Sequence, residues 1–66
     1  MSDQSLQQII EWAGSQAALA RMLGVTRSAV NLWRRDGIPA ERAIQIEDYS
    51  GGKFKATKIM AGQRAA

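Results

Sequence analysis

The side chains with the most chemistry to offer lie in one short stretch: Thr26, Arg27, Ser28, Asn31, Leu32, Arg34 and Arg35. An asparagine amide holds a donor beside an acceptor, the pattern that adenine presents at N6 and N7. An arginine fork fits guanine O6 and N7, so Asn31 with Arg27 or Arg35 can read base edges. Thr26 and Ser28 offer small hydroxyls that bond bases or backbone. Leu32 can touch a thymine methyl or serve as an interface residue. Between Glu11 and Asp36 lie four arginines (Arg21, Arg27, Arg34, Arg35) and no acid. Beyond Asp48 come Lys53, Lys55, Lys58 and Arg64, again without an acid. The net charge of +3 is therefore segregated, which suits a polyanion on one side of the molecule. Charge alone also fits the solvated surface of any slightly basic domain.

Catalytic chemistry finds little to work with. The chain has no histidine and no cysteine, which removes the commonest general base, the thiolate nucleophile and the usual zinc ligands. Its six carboxylates (Asp3, Glu11, Asp36, Glu41, Glu47 and Asp48) are scattered, and no glycine loop could cradle a phosphate. The expectation is a non-enzyme with no cofactor, no metal and no small-molecule ligand. No apolar run is long enough to span a bilayer, and no charged-then-apolar leader opens the chain. No membrane partner is expected, and the expected location is cytoplasmic.

At 66 residues, 45% of them apolar, the chain makes one small domain, without disulfides to reinforce it. Ser5 and Gln8 form a capping box ahead of a helix carrying Leu6, Ile9, Ile10 and Ala13, which Gly14 ends. Ser15 caps a second helix, Gln16 to Leu23, with Leu19, Ala20 and Leu23 on one face. Gly24 supplies the left-handed turn. Thr26 caps a third helix running to about Arg35, and Asp36-Gly37 is a turn. Pro39, in the first turn, opens a fourth helix that carries Ala43, Ile44, Ile46 and Tyr49 towards Gly51-Gly52. Lys53 to Ala56 alternates like a short extended piece, and a short helix follows from Ala56 to Met60. The fold class is all-α: a small four- or five-helix helix-turn-helix domain whose tail is extended and then helical. The domain covers 1–61, with its helix-turn-helix at 16–35, and 62–66 is read as a flexible tail.

Two short helices joined by a tight glycine turn make a helix-turn-helix, whose second helix enters the major groove. That motif needs a small residue at the helix crossing (Ala20), glycine in the turn (Gly24) and an apolar plug (Val25). It also needs inward apolar anchors three residues apart (Val30 and Trp33). Rotating the third helix by about 100° per residue, with Ala29, Val30 and Trp33 inward, turns Ser28, Asn31 and Arg35 outward. Arg27 and Arg34 flank them on one edge and Leu32 on the other. Singly, each is an ordinary solvated residue; beside the Ala20/Gly24/Val30 constellation, together they point to DNA contact. Gln16 opens the second helix, where free N–H groups and the dipole favour a phosphate. Arg34, Lys53 and Lys55 are further candidates for the phosphate backbone, with Asp36 and Glu47 as alternative partners for Arg34. Trp12 is expected half-exposed, against the fourth helix or the tail.

The run from Gly14 to Trp33, continued by Ile38 to Glu47, resembles Cro repressors of temperate bacteriophages and related prophage regulators, over roughly residues 5–52. The resemblance implies phosphate contact by Gln16, with Thr26, Arg27, Ser28, Asn31 and Leu32 at base edges. It also implies a small homodimer, at least on DNA, sitting on a short palindromic operator in double-stranded DNA and blocking transcription sterically. Members of that family end in a β-hairpin or in helix; the weak alternation past Ala56 favours helix here. Antitoxin and immunity regulators share the same helices, so an antitoxin-type regulator stays open. So does a protein-interaction module on this scaffold, which should instead show acids or an apolar patch on the third helix.

Overall fold

A computed structural model describes residues 6–64. It forms α1 (Leu6–Ala13), α2 (Gln16–Leu23), α3 (Arg27–Asp36), α4 (Ala40–Tyr49) and α5 (Ala56–Arg64), with no strand among the described residues. The architecture is all-α, as the periodicity predicts. Ser5 of the expected capping box lies outside the described residues.

Local chemistry sets the boundaries of the two central helices. Ser15 Oγ accepts from the Ala18 N–H at 3.0 Å, and Thr26 Oγ1 accepts from the Ala29 N–H at 3.1 Å. Each satisfies one orphan donor of a first turn. Between them Gly24 adopts φ 72° and ψ 32°, a left-handed conformation that costs an L-residue about 1–2 kcal/mol. The Val25 N–H then reaches back to the Ala20 carbonyl at 2.9 Å. This six-to-one bond closes a Schellman motif, and half-buried Val25 packs onto the core just past it. Glycine and apolar plug thus perform the turn together. Arg42 Nη1 donates to the Leu23 carbonyl at 3.3 Å, so α4 occupies another free acceptor at the end of α2.

The helices converge on one core. Ile9 and Ile10 from α1, Leu19, Ala20 and Leu23 from α2, and Val30 and Trp33 from α3 bury their side chains together. Ile38, Ala43 and Ile46 join from the α3–α4 connection and α4, with Phe54 and Ile59 from the C-terminal part. α2 packs against α1, α3 and α4, while α5 packs on α4. Trp12 is half-buried and meets Phe54 edge-on, ring centroids 5.6 Å apart, so it packs against the tail, one of the two expected neighbours.

Three details of the C-terminal half differ from the sequence expectation. Pro39 stands one residue before α4 rather than in its first turn. Its φ of −61° suits that N-cap position, and its carbonyl accepts from the Ala43 N–H. Ile44 and Tyr49 are 58% and 56% exposed, because α4 turns only Ala43 and Ile46 fully inward. The last helix is also longer than Ala56 to Met60 and runs through Gly62 to Arg64. Its start is held by the Glu47 carboxylate, which accepts from the Ala56 N–H at 2.8 Å. Near its end the Gln63 amide grips both backbone groups of Ile38, accepting from the N–H and donating to the carbonyl. That pair of bonds explains why helix continues where a flexible tail is expected at 62–64. Residues 65–66 lie outside the described residues.

Candidate nucleic-acid interface

The outward side of α3 follows from its inward side. Val30 is fully buried and Trp33 is 8% exposed, so the helix is fixed about its axis by two core anchors three residues apart. Thr26, Arg27, Ser28, Asn31, Leu32, Arg34 and Arg35 are all exposed, while Ala29 is half-buried at the edge. No acid interrupts this strip before Asp36. Leu32 is 49% exposed, an apolar contact point on an otherwise polar and cationic surface.

α2 contributes one side chain to the same surface. Gln16 is half-buried at the start of α2, and its Nε2 donates to Asn31 Oδ1 at 3.4 Å. With Arg27 and Ser28 these two residues line an open groove of about 270 Å³. The bond is long, so it orients more than it stabilises. Either amide can donate to the other, so the link holds the Asn31 side chain beside α2 without choosing which amide atom faces Gln16. A carbonyl oxygen has two lone pairs, so Oδ1 can still accept a second hydrogen bond. Sequence reasoning assigns Gln16 to a phosphate alone and misses this link, which depends on how α2 crosses α3.

The cations divide into separate groups. Arg35 Nε lies 3.7 Å from Asp36 Oδ1, with both side chains largely exposed, an ion pair worth little in water. Asp36 therefore engages Arg35 rather than Arg34, and Glu47, the other acid considered for Arg34, is occupied at the start of α5. Lys53 and Lys55 sit in the α4–α5 connection and are not among the residues lining the groove. Lys53 Nζ lies 6.0 Å from the Phe54 ring centroid, at the outer limit of a cation–π contact. Lys55 Nζ folds back over Gly52, where an added Cβ would meet it at 3.3 Å.

The model of a protein family described as "Bacterial toxin YdaS" matches residues 6–60. The chain belongs to the YdaS family. The match takes in the whole of α1 to α4 and more than the first turn of α5, so the helix-turn-helix and its groove fall inside it. Membership supports a small prophage-type helical protein and does not extend to the Cro repressors specifically. No curated protein and no solved structure matches the chain. Among the described residues of this YdaS-family chain, no helix is long and apolar enough to cross a membrane.

Proposed function

We propose that this YdaS-family chain is a sequence-specific DNA-binding repressor of phage or prophage type. It binds a short palindromic operator as a dimer and excludes the transcription machinery sterically, without catalysis. The observation that carries the reading is the outward strip of α3, uninterrupted by acid and centred on an Asn31 amide that Gln16 orients. In the proposed complex α3 lies in the major groove. Asn31 reads an adenine, Arg27 or Arg35 a guanine, and Leu32 a thymine methyl, with Thr26 and Ser28 near the helix start. Gln16 and Arg34 hold the phosphate backbone, joined by Lys53 and Lys55 from the α4–α5 connection. Two copies set their α3 helices about 34 Å apart on one face of the duplex.

The description of the family as a toxin favours a second reading, an antitoxin- or toxin-type regulator on the same scaffold. With neither histidine nor cysteine in the sequence, harm to a host follows more readily from binding the wrong DNA or protein than from chemistry. Selection of bound duplexes from a random pool separates DNA recognition, by a repressor or a DNA-binding regulator, from protein recognition. A recovered inverted repeat with half-sites one helical turn apart supports the repressor. A pool without enrichment overturns it in favour of protein recognition.

A further inference from the structure

Among the described residues, Arg35 is the cation of α3 that has a carboxylate at ion-pair distance, with Asp36 Oδ1 3.7 Å from its Nε. Folding has little use for this acid. Asp36 ends α3, where the helix dipole disfavours a negative charge. Its carboxylate bonds no backbone N–H among the described residues, so it builds no Asx turn. Gly37 makes the turn instead, at φ 92° with its N–H on the Trp33 carbonyl. The two paired side chains are 80% and 65% exposed, so the pair adds almost nothing to stability.

The placement of the pair on α3 is more telling. Turning α3 by about 100° per residue puts Arg35 in the middle of the outward strip, with Ser28 and Asn31, and Asp36 at its rim, past Leu32. The carboxylate therefore approaches Arg35 from the side, at Nε. The two Nη nitrogens at the end of the fork stay open, and such a pair can span guanine O6 and N7.

We infer that Asp36 makes Arg35 the guanine reader of the strip. The inference rests on the DNA-binding reading above and chooses between Arg27 and Arg35, which that reading leaves open. A carboxylate beside an arginine acts oppositely on its two kinds of target. Attraction to phosphate follows net charge, which the pair lacks, and the carboxylate itself repels the backbone. A bond to guanine follows the direction of the donors, and a side chain already held loses less freedom on binding. Asp36 thus withdraws Arg35 from phosphates and leaves it for a base. Arg27 and Arg34 have no carboxylate at that distance among the described residues, so they keep their full charge for the backbone.

The test compares the wild-type chain with Asp36→Asn, Arg35→Ala and the double variant. Each is titrated onto the duplex recovered by selection and onto copies with every G·C pair replaced in turn, over a range of salt. Arg35→Ala should abolish the preference at one G·C pair, a preference of about 5- to 150-fold. Asp36→Asn should lower that same preference several-fold, because Arg35 then gains from phosphates wherever the guanine is missing. Two unit charges about 4 Å apart in water shift an equilibrium by about five-fold. Non-specific affinity should rise by up to that factor, with a salt slope steeper by up to about 0.9. The thermal midpoint should hold or rise, since no structural bond is lost. In the Arg35→Ala background, Asp36→Asn should leave every base preference unchanged. Asp36→Ala should act as Asp36→Asn does; a loss of preference with the amide alone overturns the inference, because it would mark a new contact. So does an Asp36→Asn chain with unaltered base preferences, or an Arg35→Ala chain weakened equally on all duplexes. Those three outcomes leave the DNA reading standing. A random pool without enrichment removes that reading and the role of Asp36 with it, so the two failures are told apart.

Discussion

Substituting Asn31 and Gln16 singly and together tests whether one side chain reads a base while its neighbour holds it in place. Asn31 is exposed on α3 and its side chain is bonded to Gln16 alone, so Asn31→Ala should leave the fold intact. A bidentate amide–adenine contact discriminates by about 1–3 kcal/mol, so cognate affinity should fall by about 5- to 150-fold while non-specific affinity stays nearly constant. Gln16→Ala removes a 3.4 Å hydrogen bond between groups open to solvent, whose worth lies at the low end of the usual ~0.5–1.5 kcal/mol. If Gln16 also holds a phosphate, its loss weakens cognate and non-specific binding by one shared factor. The orienting role adds a loss on the cognate site alone, and only while Asn31 is present. The double variant should therefore show a coupling of about 0.5–1 kcal/mol on the cognate duplex and none on a scrambled one. Fluorescence anisotropy at fixed salt measures all eight affinities. Equal losses from Asn31→Ala on both duplexes would refute base reading; zero coupling on the cognate duplex would refute the orienting role of Gln16.

Other expectations follow from single contacts. Trp33→Ala empties a core site that is only 8% exposed and should cost about 3–5 kcal/mol, a large part of the stability of so small a domain. An unchanged thermal midpoint would mean that α3 is rotated from this placement. Gly24→Ala meets no atom within 4 Å, so its cost is conformational alone, about 1–2 kcal/mol at positive φ; Gly24→Asn should lose less, and denaturant titration ranks the two. Arg34→Ala should make the salt dependence of DNA binding shallower by up to about 0.9 in slope, with sequence preference unchanged. A preserved slope would remove Arg34 from the phosphate contacts. Arg35→Ala should weaken cognate binding, and an unchanged affinity and slope would exclude Arg35 from the DNA.

Much of the N-terminal half is legible from residue types because its determinants are local. Ser15 and Thr26 each cap a helix within three residues, Gly24 needs only its own left-handed conformation, and Val30 with Trp33 fixes the rotation of α3. The C-terminal half is less legible because its determinants are distant in sequence. Residues 62–64 read as part of a flexible tail, yet the Gln63 amide bonds the backbone of Ile38, 25 residues away, and the helix persists. Glu47 looks like a surface acid and instead starts α5 from nine residues upstream. α4 offers Ala43, Ile44 and Ile46 within four positions, so apolar spacing alone does not choose the buried pair. The packing of α4 on α2 and α5 makes that choice and leaves Ile44 and Tyr49 outside. The Gln16–Asn31 link has the same origin, because it joins residues 15 apart across a helix crossing.

The central claim is that the outward strip of α3 meets DNA. Titrating the ¹⁵N-labelled chain with the duplex recovered by selection tests it most directly. Amide and side-chain signals of Gln16 and of Thr26 to Arg35 should move together and saturate at one chain per half-site, with Asn31 Nδ2 among the largest changes. Saturating shifts confined to α4 or α5, with Asn31 and Arg27 unmoved, would contradict it.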